Sequence, residues 1–293
     1  MPKSISLRRQ VRYWLEWLAV RFSFWTFRLL GQKKSSALGG WIGRKIGPRL
    51  SAHKIAINNL KLAMPELGKG DRAQIIDKMW DNLGRNASEL PFIGRDTSFE
   101  DVELVGLEHL DAFVQSGKSA LFVSGHYGPW ELTSLAGKYC NKNVCVVYRS
   151  ANNPMVEAFF QKERKGSGYN LVPKGKSGAR AILAALKKNE AVALLNDQKQ
   201  NSGVPIPFFG RDAMTATAIA DFACRQNLPV YPMRAERLDG GKTRLTVYAP
   251  IFAATSDDRK QDVIQFLTRI NVIYENWIKE RPDHWFWVHN RWP

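Results

Sequence analysis

Residues 120–132 read ALFVSGHYGPWEL, and the fold follows from how this stretch divides. Ala120–Ser124 is a short apolar run with aromatic and β-branched members, the composition of a strand buried on both faces. Two glycines and a histidine follow at 125–128, the makings of a tight loop. Gly128 suits a helix cap and Pro129 the first helical position, which predicts a helix over 130–139 with Glu131 in its first turn.

The same alternation recurs downstream. Further strands are predicted at 144–148, 170–173, 191–195 and 229–234, with helices at 153–165, 177–188, 214–226 and 258–280. Residues 245–248 read as an added antiparallel strand. This order predicts an α/β domain with a mostly parallel mixed sheet flanked by helices. In such sheets functional loops gather at the carboxyl ends of the strands. Here those ends lead into His126, Arg149, Lys174 and the pair Asp197-Gln198, so one rim would carry convergent polar chemistry.

Upstream, residues 31–95 read as a basic helical part broken at Gly39-Gly40, Gly47-Pro48 and Gly68-Lys69-Gly70, preceding a catalytic core over 96–293. Residues 1–30 form a separate unit. Over 5–30, ISLRRQVRYWLEWLAVRFSFWTFRLL, the residues Val11, Leu15, Leu18, Phe22, Trp25 and Leu29 recur at helical spacing, and Trp14, Trp17, Arg21, Phe24 and Arg28 form a second face. Glu16, Arg21 and Arg28 interrupt what would otherwise be an apolar span. No small-residue cleavage site follows, and the Arg8-Arg9 pair lacks the uncharged stretch of a twin-arginine signal. The expectation is an amphipathic, membrane-associated helix lying in the interface. The plainer alternative is a helix packed on the domain.

Composition narrows the class of partner. The 293 residues are 44% hydrophobic and 24% charged, which fits a packed core and argues against disorder. The formal charge of +16 demands an anionic partner, and ten tryptophans tilt the choice from nucleic acid toward a membrane surface. Cys140, Cys145 and Cys224 give neither a disulfide framework nor a zinc motif, so no metal is expected. No G-x-S-x-G elbow or H-E-x-x-H motif occurs, and no nucleic-acid-binding signature is present.

The constellation that carries chemistry is His126-x4-Glu131. A carboxylate on one imidazole nitrogen fixes the tautomer and leaves the other nitrogen to take a proton from a hydroxyl. Beside this stands a plainer reading, in which Glu131 caps its own helix and His126 bonds backbone. The VPIPFFG loop at 204–210 offers Phe208 and Phe209 as candidates to line an apolar pocket, against ordinary loop packing. Arg44, Lys45, Arg49, Lys54, Lys61, Lys162, Arg164 and Lys165 are candidates to meet an acidic carrier protein or lipid phosphate, against simple solvation.

His126-x4-Glu131 resembles the H-x4-D/E signature of glycerolipid acyltransferases. Along nearly its full length the chain resembles the bacterial lipid A late acyltransferases, the lauroyl and myristoyl transferases of lipopolysaccharide synthesis. The resemblance runs through ordered blocks at Tyr13–Leu30, Gly125–Leu132, Tyr148-Arg149 with Asn153-Pro154, Asn196–Gln198, Val204–Gly210, Thr215–Thr217 and Trp285–Arg291. One departure is Asn290, where the family usually has the first of two basic residues.

The resemblance implies a GPAT-like α/β acyltransferase fold and a reaction without cofactor. An acyl-carrier-protein thioester is the donor, and the acceptor is a hydroxyl of a Kdo-bearing lipid A precursor at the cytoplasmic face of the bacterial inner membrane. Another anionic glycolipid, such as a phosphatidylinositol mannoside, is the alternative acceptor. It implies His126 as general base and Glu131 as its orienting partner. Arg149 is left to stabilise an oxyanion, bind a phosphate, or form a structural ion pair with Asp197. Asp197 is similar to a family site residue without an assigned role; Gln198 and Lys174 share the rim as substrate-binding or oxyanion candidates.

Overall fold

The structure is a computed structural model that describes residues 6–93, 102–164 and 169–292. Its centre is a seven-stranded sheet in the order β1-β9-β8-β2-β5-β3-β4. The strands are β1 (Val102–Val105), β2 (Ala120–Ser124), β3 (Val144–Tyr148), β4 (Tyr169–Pro173), β5 (Ala191–Leu195), β8 (Val230–Arg237) and β9 (Thr243–Val247). Neighbours run parallel except β8 and β9, which are antiparallel as the sequence predicts for that segment. Every residue of β2 is buried, as expected of a central parallel strand covered on both faces.

Side chains of successive strand residues separate into two cores. On one face Leu121, Val123, Cys145 and Val192 pack under α8 (Lys176–Lys187), α9 (Ala218–Gln226) and α10 (Arg259–Glu280). On the other, Phe122, Val144, Ala191 and Met233 pack under α5 (Leu107–Ser116) and α6 (Ser134–Cys140).

The N-terminal part is helical: α1 (Leu7–Leu30), α2 (Gln32–Ile46), α3 (Ala52–Ala63) and α4 (Lys69–Glu89). α2 and α4 cross at backbone contact, because a Cβ on Gly84 would fall 2.0 Å from the Gly39 carbonyl oxygen. α1 is fastened to α7 (Pro154–Arg164) by an Arg28–Glu163 ion pair and by Phe24 against Phe159 and Phe160. The side chain of Asn153 donates to the Tyr13 carbonyl at 2.8 Å. The stripe Val11, Leu15, Leu18, Phe22, Trp25 and Leu29 faces outward, each more than half exposed, while Tyr13 and Phe24 are buried. No helix among the described residues is long and apolar enough to cross a membrane.

Two local expectations give way. The predicted helix over 214–226 starts only at Ala218, because Val204–Phe208 (β6) and Arg211–Thr215 (β7) form an antiparallel hairpin. Its turn holds Phe209 and Gly210, both at positive φ. The helix expected at 130–139 begins as a 3-10 turn over Trp130–Thr133 before α6. Trp285, Trp287 and Trp292 are buried in the core.

Candidate active site

The parallel pairing of β2 with β5 sets Ser124 opposite Leu195, and the loops that follow therefore emerge side by side. Gly125 has no side chain, and a Cβ there would lie 3.3 Å from the Asp197 carboxyl carbon. That gap lets the carboxylate reach the next residue twice. Asp197 Oδ2 accepts from the His126 backbone N–H at 2.8 Å, and Oδ1 lies 2.7 Å from His126 Nδ1. A carboxylate acceptor at Nδ1 places the ring hydrogen there and leaves Nε2 as a free base. Nε2 lies 3.3 Å from the side-chain amide nitrogen of Gln198.

The carboxylate on Nδ1 is thus that of Asp197, in the position the sequence reading gives to Glu131. The reason is local. The Pro129 turn winds as 3-10 rather than α, and Glu131 is carried to the wall of the cavity in front of the imidazole.

Burial acts to raise the Asp197 pKa, but the facing imidazole and the hydrogen bonds from His126 and Trp285 outweigh it and hold the carboxyl below its ordinary range. Asp197 stays ionised and can stabilise an imidazolium. The His126 ring lies against both Trp130 and Phe286, with ring centroids 5.4 and 5.6 Å away. These aromatic rings narrow the ways the imidazole can turn.

The loop carrying His126 is pinned from behind. Gly128, at φ +52°, presses on the Ala235 carbonyl, where a Cβ would come within 2.2 Å. Its N–H donates to the His284 carbonyl at 2.8 Å, and its carbonyl accepts from the Asn86 side chain at 2.8 Å. The Phe286 N–H donates to the His126 carbonyl at 3.1 Å. Arg237 organises Asn82, Asn86 and Glu89 beneath this loop.

In front of His126 opens a cavity of about 540 Å³, within the roughly 300–1,000 Å³ typical of ligand sites. Its lining is part polar, with Glu131, Arg149, Lys174, Gln198 and Lys199, and part apolar, with Val146, Leu171, Ile182, Ala193, Phe222 and Met233. Arg149 is exposed at the rim, and the carboxylate once paired with it in prospect is committed to His126. Lys174 bonds Gln200.

Phe208 and Phe209 do not line this cavity. Phe208 is fully buried, stacked on Trp292 at 5.7 Å, and the Phe209 N–H caps Glu275 at 2.7 Å. Alternation along β6 turns Ile206 and Phe208 inward and Pro205 and Pro207 outward. Among the basic candidates, Arg44 is paired with Asp81, Lys45, Arg49, Lys54, Lys61 and Lys162 are exposed, and Lys165 lies outside the described residues.

Sequence reasoning missed Trp285, Phe286, His289 and Asn86 as site components. Trp285 Nε1 donates to Asp197 at 2.9 Å, and His289 Nε2 accepts the Lys199 N–H at 2.8 Å. Burial lowers the His289 pKa, which keeps it neutral for that role. The crowding of three tryptophans and a histidine within 285–292 was the available signal.

A histidine–aspartate pair beside a partly apolar cavity has the chemistry to take a proton from a hydroxyl. Comparison with known proteins agrees: the sequence model described as bacterial lipid A biosynthesis acyltransferase matches residues 1–293. The chain belongs to the bacterial lipid A biosynthesis acyltransferase family. It is 24% identical to a lipid A biosynthesis lauroyltransferase of Escherichia coli K12, over 99% of this chain and 95% of that protein. It is 26% identical to a lipid A biosynthesis palmitoleoyltransferase of the same organism, over 96% of this chain and 91% of the relative. A lipid A biosynthesis acyltransferase of Shigella flexneri is similar to the same degree. As a member of this family the chain is an O-acyltransferase.

Proposed function

We propose that the enzyme transfers a fatty acyl group from an acyl-carrier-protein thioester to a hydroxyl of a Kdo-bearing lipid A precursor, with His126 as general base and Asp197 as its orienting partner. The observation that carries this reading is the His126–Asp197 contact beside a cavity lined in part by apolar side chains. The acceptor hydroxyl gives its proton to Nε2 as its oxygen attacks the thioester carbonyl. The carbonyl π electrons move to oxygen, where Gln198 and Arg149 offer N–H groups to the anion. Collapse re-forms the carbonyl and breaks the C–S bond, and the departing thiolate takes the proton back from the imidazolium. No acyl-enzyme forms.

In this reading the apolar part of the lining takes the acyl chain, and Glu131 shapes the polar part beside Trp130. The surplus of 16 positive charges fits an acidic carrier protein and an anionic lipid. The outward stripe of α1 meets the inner membrane from its cytoplasmic side, where Arg and Trp find their preferred depth.

The test is turnover of an acyl-carrier-protein thioester by purified, folded variants. His126→Ala and Asp197→Asn should each lose at least the roughly 10²–10⁴-fold that positioned proton transfer supplies. Near-normal turnover by His126→Ala would remove the mechanism. Equal kcat/KM with the corresponding acyl-CoA would remove the carrier protein from it.

A further inference from the structure

We infer that Trp285 is a positioning residue for acyl transfer: its indole N–H holds the Asp197 carboxylate in the orientation that serves His126. The inference rests on the His126–Asp197 reading above and extends it to the segment 284–292.

The final torsion of an aspartate is broad and roughly two-fold, so its ligands decide where its oxygens point. Asp197 Oδ1 is committed to His126 Nδ1 at 2.7 Å. Oδ2 receives two donors, the His126 backbone N–H at 2.8 Å and Trp285 Nε1 at 2.9 Å. A carboxylate held at both oxygens by three donors cannot rotate without breaking all of them.

The other charged or titratable groups near Asp197 are Arg291, Tyr274 and His289, and each is engaged elsewhere. Arg291 donates to the Met214 carbonyl and the Thr215 hydroxyl. The Tyr274 hydroxyl donates to the Ser124 carbonyl, and His289 accepts from Lys199. Among the described residues, His126 and Trp285 supply the side-chain donors to Asp197.

Trp285 is itself immobile. It is buried, edge-on to Trp287 at 4.6 Å and to Phe208 at 5.5 Å. A bridge pairs its backbone with Tyr127, flanked by the hydrogen bonds from Gly128 to His284 and from Phe286 to His126. One short segment therefore fixes the base through backbone and the carboxylate through an indole. Loss of the indole donor would also leave more carboxylate charge facing the imidazole. The protonated pair would then persist to higher pH.

The experiment compares Trp285→Phe, Trp287→Phe and Asp197→Asn in the full chain, using an acyl-carrier-protein thioester and a lipid A precursor across a pH series. Trp287→Phe is the matched control, since it removes a buried indole donor from the same cluster, one bonded to the Pro282 carbonyl. Trp285→Phe should lower kcat roughly 10–100-fold, the range for one hydrogen bond to a charged group. KM should stay near wild type and the acid limb of kcat/KM should move to higher pH. Trp287→Phe should leave the limb in place.

Wild-type kcat and limb in Trp285→Phe, or the same response from both tryptophan variants, overturns the inference. If Trp285→Phe does not fold, the indole ¹⁵N–¹H signal of Trp285 serves instead: it must shift in Asp197→Asn, and an unmoved signal overturns the inference. Full activity of Asp197→Asn would overturn the underlying pair. An inactive Asp197→Asn beside an unaffected Trp285→Phe overturns only the role of Trp285.

Discussion

Replacing Arg237 with methionine removes the hub beneath the catalytic loop while keeping a side chain of similar reach. The guanidinium grips Glu89 through both oxygens at 2.7 and 2.6 Å, Asn82 at 2.9 Å and Asn86 at 2.5 Å. Arg237 and Glu89 side chains are each only 16% exposed. Deleting one member of a buried pair leaves a charge without compensation, at a cost of about 3–5 kcal/mol. The residual exposure admits some water, so the lower end, about 3 kcal/mol, applies. For a chain of this size that corresponds to a fall in Tm of roughly 5 °C. The assay is thermal unfolding followed by circular dichroism, with urea midpoints as a second probe. The double variant Glu89→Met/Arg237→Met should recover most of the loss, because it removes the stranded carboxylate. In folded Arg237→Met protein kcat should also fall, since Asn86 loses the partner that aims it at Gly128. A loss below about 1 kcal/mol, or a double variant no better than the single, would refute the argument that this clamp is a stressed charge network.

Burial pushes the Cys140 and Cys145 thiols up to about 11 and raises Cys224 as well; a disulfide reagent at pH 8 should therefore titrate native protein slowly and all three thiols at once in guanidinium, and an immediate full reaction would contradict this. Ala193→Phe should fill part of the cavity it lines and shift preference toward shorter acyl thioesters in competition assays. Phe208→Ala should instead cost about 3–5 kcal/mol of stability and leave donor preference unchanged. Replacing the exposed Trp14, Leu18 and Trp25 with serine should reduce flotation with anionic vesicles without lowering Tm, and undiminished flotation would place the membrane contact off α1.

The parallel sheet was legible because its strands are short apolar runs bounded by turn residues, and the rim followed from their alternation with helices. The β6–β7 hairpin was not, because Pro205 and Pro207 mask a strand whose N–H groups need not pair on that side. His126 was legible from its loop between strand and helix. Its partner was not: Glu131 is near in sequence, whereas Asp197 becomes a neighbour only through the β2–β5 pairing. Asp197 was placed on the correct rim without a role, since spacing along the chain does not say which carboxylate reaches the ring. Trp285 was invisible for the same reason: its place beside Asp197 depends on the fold and not on spacing along the chain.

The β2–β5 register has a kinetic consequence. His126 and Asp197 are 71 residues apart and Trp285 lies a further 88 beyond Asp197. Contacts of such separation form late, after the entropy of closing long loops has been met. A refolding chain would regain its helical circular dichroism before its turnover. Collapsed species with most of their secondary structure in place would be catalytically silent, making enzyme activity a stricter gauge of completed folding than any spectroscopic signal from the backbone.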